Sequence, residues 1–204
     1  MNRLIVPFGE LSSLELPDGS KVCLESGSEL EFPTKFAANG RAVTLSGEMY
    51  IEVARDPSRQ FVVNTHNLKV QVLGTMFNIS SYASDDVNSV VLAEGSVSID
   101  YGNGTQRLSP GQIFEWNGQD YTVKRADVSQ YTSWKDGYIL ANKTPVTEIL
   151  EKISRYYNVE FEYDRLRIIN KTCTGRLILT DDLANIMQVI SDLSGTTYQQ
   201  DDQT

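Results

Sequence analysis

Thr144-Pro145-Val146-Thr147-Glu148-Ile149-Leu150-Glu151-Lys152-Ile153-Ser154-Arg155-Tyr156-Tyr157-Asn158 is where the pattern of this chain changes. Val146, Ile149, Leu150, Ile153 and Tyr157 recur at helical spacing and form one apolar face. Thr144 fits an N-cap, and Pro145 the first helical position, where a missing N–H costs nothing. Asn158 tolerates the left-handed conformation that closes a helix. Val159, Phe161 and Tyr163 then alternate as a strand. A second helical face follows, built from Leu183, Ile186, Met187, Ile190 and Leu193. A shift of 37 residues maps Thr144 to Asp181, Ile149 to Ile186, Leu150 to Met187 and Ile153 to Ile190. The same shift maps Asn158 to Gly195, Val159 to Thr196 and Phe161 to Tyr198. Strands precede both helices, at Tyr138-Ile139-Leu140 and Arg176-Leu177-Ile178-Leu179. Residues 131–204 therefore read as a doubled unit, a small two-layer βαβ–βαβ domain.

Upstream the period is two. Eleven of the 14 glycines and five of the six prolines lie before Trp134. Leu14-Glu15-Leu16 enters the turn Pro17-Asp18-Gly19-Ser20, and Lys21-Val22-Cys23-Leu24 leaves it. Asn39-Gly40 reads as a type I′ turn. Leu68-Lys69-Val70-Gln71-Val72 alternates, and Ser89-Val90-Val91-Leu92 and Val97-Ser98-Ile99 continue the series. About ten short strands make residues 1–130 an all-β sandwich, roll or solenoid-like domain. The fold class is mainly β, followed by α+β.

Composition narrows the function. The 204 residues carry 18 Lys+Arg against 27 Asp+Glu, a net charge of -9. That excess repels nucleic acid and anionic membrane surfaces alike. One histidine, His66, and two cysteines, Cys23 and Cys173, exclude a His/Cys metal cluster and a disulfide framework. No metal or cofactor is expected. The cysteines read as small buried apolar residues, with an interdomain disulfide as the alternative in an oxidising compartment. No apolar run reaches the length of a membrane span, and the first residues lack a signal-peptide pattern. The chain is either cytoplasmic or a fragment from which a targeting segment has been cut.

Catalytic constellations are sparse. Any Ser-His-Asp or Cys-His arrangement must recruit His66, which reads as an exposed turn residue between two strands. Glu29 with Glu31, and Glu48 with Glu52, are the carboxylate pairs a glycosidase would need, but solvent-facing charges are the default. Asp85-Asp86 reads as a loop and Asp181-Asp182 as an N-cap. Tyr50, Tyr82, Tyr101, Phe114, Trp116 and Tyr121 are either strand core or a sugar platform. A carbohydrate-binding β-domain is accordingly the alternative function.

Motif order says more than any of these. Leu16-Pro17-Asp18-Gly19-Ser20-Lys21-Val22, Ser26-Gly27-Ser28 and Leu45-Ser46-Gly47-Glu48-Met49-Tyr50-Ile51-Glu52-Val53-Ala54 resemble the FecR-like anti-sigma regulator family. Pro57-Ser58-Arg59-Gln60-Phe61-Val62-Val63, Val72-Leu73-Gly74-Thr75-Met76-Phe77-Asn78-Ile79, Leu92-Ala93-Glu94-Gly95-Ser96-Val97 and Leu108-Ser109-Pro110-Gly111-Gln112 follow in that family's order. Cys23 departs from it, standing where many relatives carry a tryptophan. Trp134-Lys135-Asp136-Gly137 and the repeat after it resemble the secretin and TonB short N-terminal domain. The resemblance implies a non-enzymatic sensor on the periplasmic face of the inner membrane. It implies three further things: a sigma factor held through a cytoplasmic segment, a single membrane helix, and a signal from the N-terminal signalling domain of a TonB-dependent transducer. Neither the cytoplasmic segment nor the membrane helix is in this sequence, so the chain is expected to be the periplasmic fragment.

A small sheet has edges that can accept a partner strand. The candidate edges are Tyr138, Ile139 and Leu140, and Thr196, Thr197, Tyr198, Gln199 and Gln200.

Overall fold

The structure, a computed structural model, describes residues 1–179 and 182–199. Its first part holds β1 (Asn2–Ile5), β2 (Ser12–Glu15), β3 (Lys21–Leu24), β4 (Glu29–Phe32) and β5 (Arg41–Glu52). β6 (Phe61–Asn64), β7 (Lys69–Val72), β8 (Met76–Ser81) and β9 (Asn88–Glu94) come next. β10 (Val97–Asp100), β11 (Thr105–Leu108), β12 (Gln112–Trp116) and β13 (Tyr121–Arg125) complete this β-body.

β5 organises it. Its first half pairs antiparallel with β4 and parallel with β6; its second half pairs antiparallel with β3 and β8. The sheet curls about this strand, and side chains from both halves, such as Leu30, Phe61, Met49 and Phe77, share one core. The burial of β5 records the arrangement. From Arg41 to Ser46 buried and exposed residues alternate, as in a sheet with one wet face. From Gly47 to Ile51 every residue is buried, so something covers the outer face there.

Gly47 sits at the change of partners with φ +120°, and a Cβ on it would press against the Ser28 side chain and lie 2.7 Å from Ser28 Cα. Gly47→Ala should therefore cost about 3 kcal/mol through backbone strain and overpacking, read as a shifted urea midpoint. The Pro17–Ser20 turn forms as expected, with Gly19 at φ 83° and Leu16 N–H bonded to Ser20 O. The Asn39-Gly40 turn differs: neither residue has positive φ, so it is not type I′.

The cover is the second part. α1 (Val128–Thr132) and a 3-10 turn, Ser133–Asp136, lead into β14 (Tyr138–Pro145) and α2 (Val146–Tyr157). α3 (Arg165–Ile168), β15 (Thr172–Ile178) and α4 (Leu183–Ser194) follow. β14 and β15 form a two-stranded antiparallel sheet under the two long helices. The repeat holds to the level of single bonds. Asn158 and Gly195 both end their helices in the left-handed conformation. Ser154 Oγ donates to Val159 O as Ser191 Oγ does to Thr196 O, 37 positions later.

Three details differ from the sequence reading. Thr144 is not an N-cap but the penultimate residue of β14, because the ladder with β15 continues to Pro145 opposite Thr172. Pro145 takes the cap position, and Val146 N–H finds its acceptor in Lys171 O. Val159–Tyr163 and Thr196–Gln199 form no strand among the described residues, so the unit there is βα rather than βαβ. Their alternation reports burial instead, since Phe161 and Tyr198 pack against the second core. Asp182 caps α4 by accepting from Asn185 N–H, while Asp181 lies outside the described residues. Cys23 is half-buried and Cys173 buried, and both are free thiols. Among the described residues no helix is long and apolar enough to cross a membrane.

Candidate functional site

The pairing of β3 with β5 places Leu24 opposite Met49. One step further it sets Glu25 opposite Glu48, joined by Glu25 N–H to Glu48 O at 3.0 Å. Like charges facing across a ladder repel, yet both residues are buried. They lie at the seam where the small domain covers the outer face of β5.

Two chains of contacts cross that seam. Trp134 Nε1 donates to Asn78 Oδ1 at 3.2 Å, and Asn78 Nδ2 donates to Glu48 Oε1 at 2.7 Å. On the other side, Arg155 of α2 places one nitrogen 2.8 and 2.7 Å from the two carboxylate oxygens of Asp85. Its guanidinium lies 3.7 Å from the centre of the Tyr82 ring. Tyr82 Oη in turn is 3.0 Å from Glu25 Oε2. Ser26 Oγ, accepting from Gly9 N–H, donates to Arg155 O.

The electrostatics follow from this burial. Desolvation first, and the charge of Glu48 second, push the Glu25 carboxyl up to about 8. Burial likewise lifts the Tyr82 phenol far above its ordinary range, with Glu25 adding to it. Burial works against the Arg155 charge, but its anionic neighbours more than offset this and raise its pKa.

Of the carboxylates singled out in the sequence, Glu48 belongs here, and so does Asp85 of the expected loop. Glu29 is tied to Arg3 on the surface, and Glu52 lies at the far end of β5. Glu25 is a residue the sequence reading missed, and its only signal was the adjoining Ser26-Gly27-Ser28. His66 is exposed in its turn. Tyr50 and Tyr82 are buried, and Tyr101, Phe114 and Tyr121 pack against one another at centroid distances of 5.1–5.7 Å. Trp116 is partly buried against the first core, and Tyr121 is 45% exposed.

The candidate docking residues fall as follows. Tyr138, Ile139 and Leu140 are in β14. Ile139 is core, and the outward N–H of Leu140 is taken by Ser133 Oγ at 2.9 Å. Thr196, Thr197, Tyr198 and Gln199 are irregular, with Tyr198 Oη bonded to Ala184 O, and Gln200 lies outside the described residues. Among the described residues the ladder register also leaves the outer edge of β15 without a partner strand. Leu179 N–H bonds Gly137 O, so Ile178, Arg176 and Thr174 turn their backbone groups away from β14. All three are exposed. Leu193 of α4, 44% exposed, lies over Gly175 of β15, and Val189 on the same helix is 40% exposed.

Comparison with known proteins now adds to this geometry. The FecR protein family model matches residues 3–98, and the FecR C-terminal model matches residues 138–204. A search of curated proteins finds no significant match. Two crystal structures of a Parabacteroides distasonis ATCC 8503 protein assigned as an anti-sigma factor are similar, each at 28% identity. The first superposes with a TM-score of 0.88 over 99% of this chain and 96% of that one. The second gives 0.87 over 98% and 95%. With both family regions present in order and the whole architecture shared, the chain belongs to the FecR-like family of anti-sigma factors, regulators of sigma factors.

Proposed function

We propose that this chain is the non-enzymatic periplasmic sensor of an anti-sigma factor anchored in the inner membrane. In this reading the β-body, residues 1–130, carries the small domain, residues 131–204, as the input module. The input is the N-terminal signalling domain of a TonB-dependent outer-membrane transducer, and the output is a sigma factor held or released through a cytoplasmic segment. The observation that carries the reading is the joint match of both family regions to one chain, in order, with the fold of an anti-sigma factor over its full length.

Open backbone on β15 supports a docking mode. Thr174, Arg176 and Ile178 offer N–H and C=O groups to an incoming strand. Val189 and Leu193 offer apolar surface for its alternate side chains. Proline at position 176 removes one of those donors at an edge position where the sheet itself needs none. Arg176→Pro should therefore weaken binding of the transducer's signalling domain at least tenfold in calorimetry while thermal unfolding shifts little. Unchanged affinity in Arg176→Pro would rule out strand addition at β15. Failure of the wild-type chain to bind the signalling domain at all would overturn the sensor reading.

A further inference from the structure

The seam contains a proton-counting problem. Tyr82 Oη has three oxygen neighbours: Glu25 Oε2 at 3.0 Å, Ser26 O at 3.0 Å and Ser28 Oγ at 3.2 Å. A phenol has one hydrogen to give. Ser26 O can only accept. Ser28 Oγ is already committed to Glu48, accepting from its N–H at 2.9 Å and donating to its carbonyl at 3.2 Å. If Glu25 were ionised, it and Ser26 O would compete for the single Tyr82 hydrogen, and one buried acceptor would go without. If Glu25 is neutral, its O–H donates to Tyr82 Oη and Tyr82 donates to Ser26 O, so neither Glu25 Oε2 nor Ser26 O competes for the same hydrogen.

Among the described residues Arg155 and Lys152 favour the charged form, but burial and Glu48 outweigh them. Arg155 spends its carboxylate contacts on Asp85, and Lys152 faces Glu148 at 3.6 Å. The groups around Glu25 are Glu48 from β5, Tyr82 and Asp85 from the segment after β8, and Lys152, Arg155 and Tyr156 from α2. Glu10, from the segment after β1, stands beyond Tyr156.

We propose that the seam is a proton-linked latch: Glu25 closes it as the neutral acid, and withdrawal of α2 is coupled to loss of that proton to water. In the open state the Glu25 O–H bond breaks, the proton passes to solvent, and the carboxylate is hydrated. This device needs no bound partner and stands apart from any docking at β15.

The direction of the pH dependence follows from linkage. The closed seam holds the Glu25 proton more tightly than the open one, with its carboxyl at about 8 rather than the ordinary value near 4.5. The latch is therefore at full strength below the ordinary value and loosens as pH rises towards 8. One proton released per opening makes the opening equilibrium grow about tenfold per pH unit across that window.

Hydrogen exchange of the α2 amides, corrected for intrinsic rates, reads this directly. In the wild-type chain protection should fall about tenfold per unit between pH 5 and 8. In Glu25→Gln, which keeps a donor and an acceptor but cannot ionise, protection should not change with pH. A flat wild-type profile, or the same slope in Glu25→Gln, overturns the latch. Should the variant not fold, carbon-13 NMR of glutamate carboxyls in the wild-type chain decides. One resonance titrating well above all the others supports the latch; all of them titrating near 4.5 refutes it.

Discussion

Arg41→Ala should destabilise the β-body by about 3–5 kcal/mol, the largest effect of any single polar substitution in it. The Arg41 side chain is fully buried, and its partner Asp18 is 4% exposed at 2.8 Å. The same guanidinium donates to Ala54 O at 2.7 Å, to Arg59 O at 2.8 Å and to Leu73 O at 3.4 Å, and lies over the Phe61 ring. It thus holds the Pro17–Ser20 turn and the segments around residues 54, 59 and 73 on one charge. Truncation leaves Asp18 as an unpaired buried anion and strips three carbonyls of a donor. Urea denaturation followed by circular dichroism measures the loss. Arg41→Lys should recover little of it, because an ammonium cannot reach partners spread around a planar fork. Full stability in the lysine variant would show that charge alone, not geometry, is what the site uses.

Trp134→Ala should cost about 3–5 kcal/mol as well, but in a different place. Trp134 is 4% exposed and lies in the second core beside Tyr50 of β5. Its loss opens a cavity between the β-body and the small domain and orphans Asn78 Oδ1, the next link towards Glu48. The small domain should therefore unfold or detach at lower denaturant than the β-body, splitting one transition into two. Trp134→Phe keeps most of the packing and loses only the hydrogen bond, for about 1–3 kcal/mol. If Trp134→Ala shifted one common transition and left no separate step, the seam would be no weaker than either body.

Much of this was legible along the chain. Val146, Ile149, Leu150 and Ile153 declare α2, and the matching residues 37 later declare α4, since a helix writes its buried face at a fixed local period. The glycine turns were legible for a similar reason: positive φ is a local demand. What stayed hidden depends on distant pairings. Asn39-Gly40 looked like a hairpin turn of one type and is another, because the bridge it closes runs from Ala37 to Gly40 alone. Glu25 and Glu48 are 23 residues apart, and only the register of β3 on β5 makes them neighbours. The edge that β15 offers among the described residues rests on which N–H groups the ladder consumes, and the cover on Leu140 rests on the Ser133 hydroxyl. Neither leaves a trace in residue type.

The central place of β5 also orders the birth of the molecule. As the chain emerges N-terminus first, β3 and β4 are there to cover one edge of β5, but the other edge waits for β6 and then for β8, which ends at Ser81. Until then the nascent chain carries a long strand with bare hydrogen-bonding groups and with Leu45, Met49 and Ile51 uncovered. The interval before Ser81 has emerged is therefore the moment of greatest risk of misassembly, and the one at which a chaperone has most to protect.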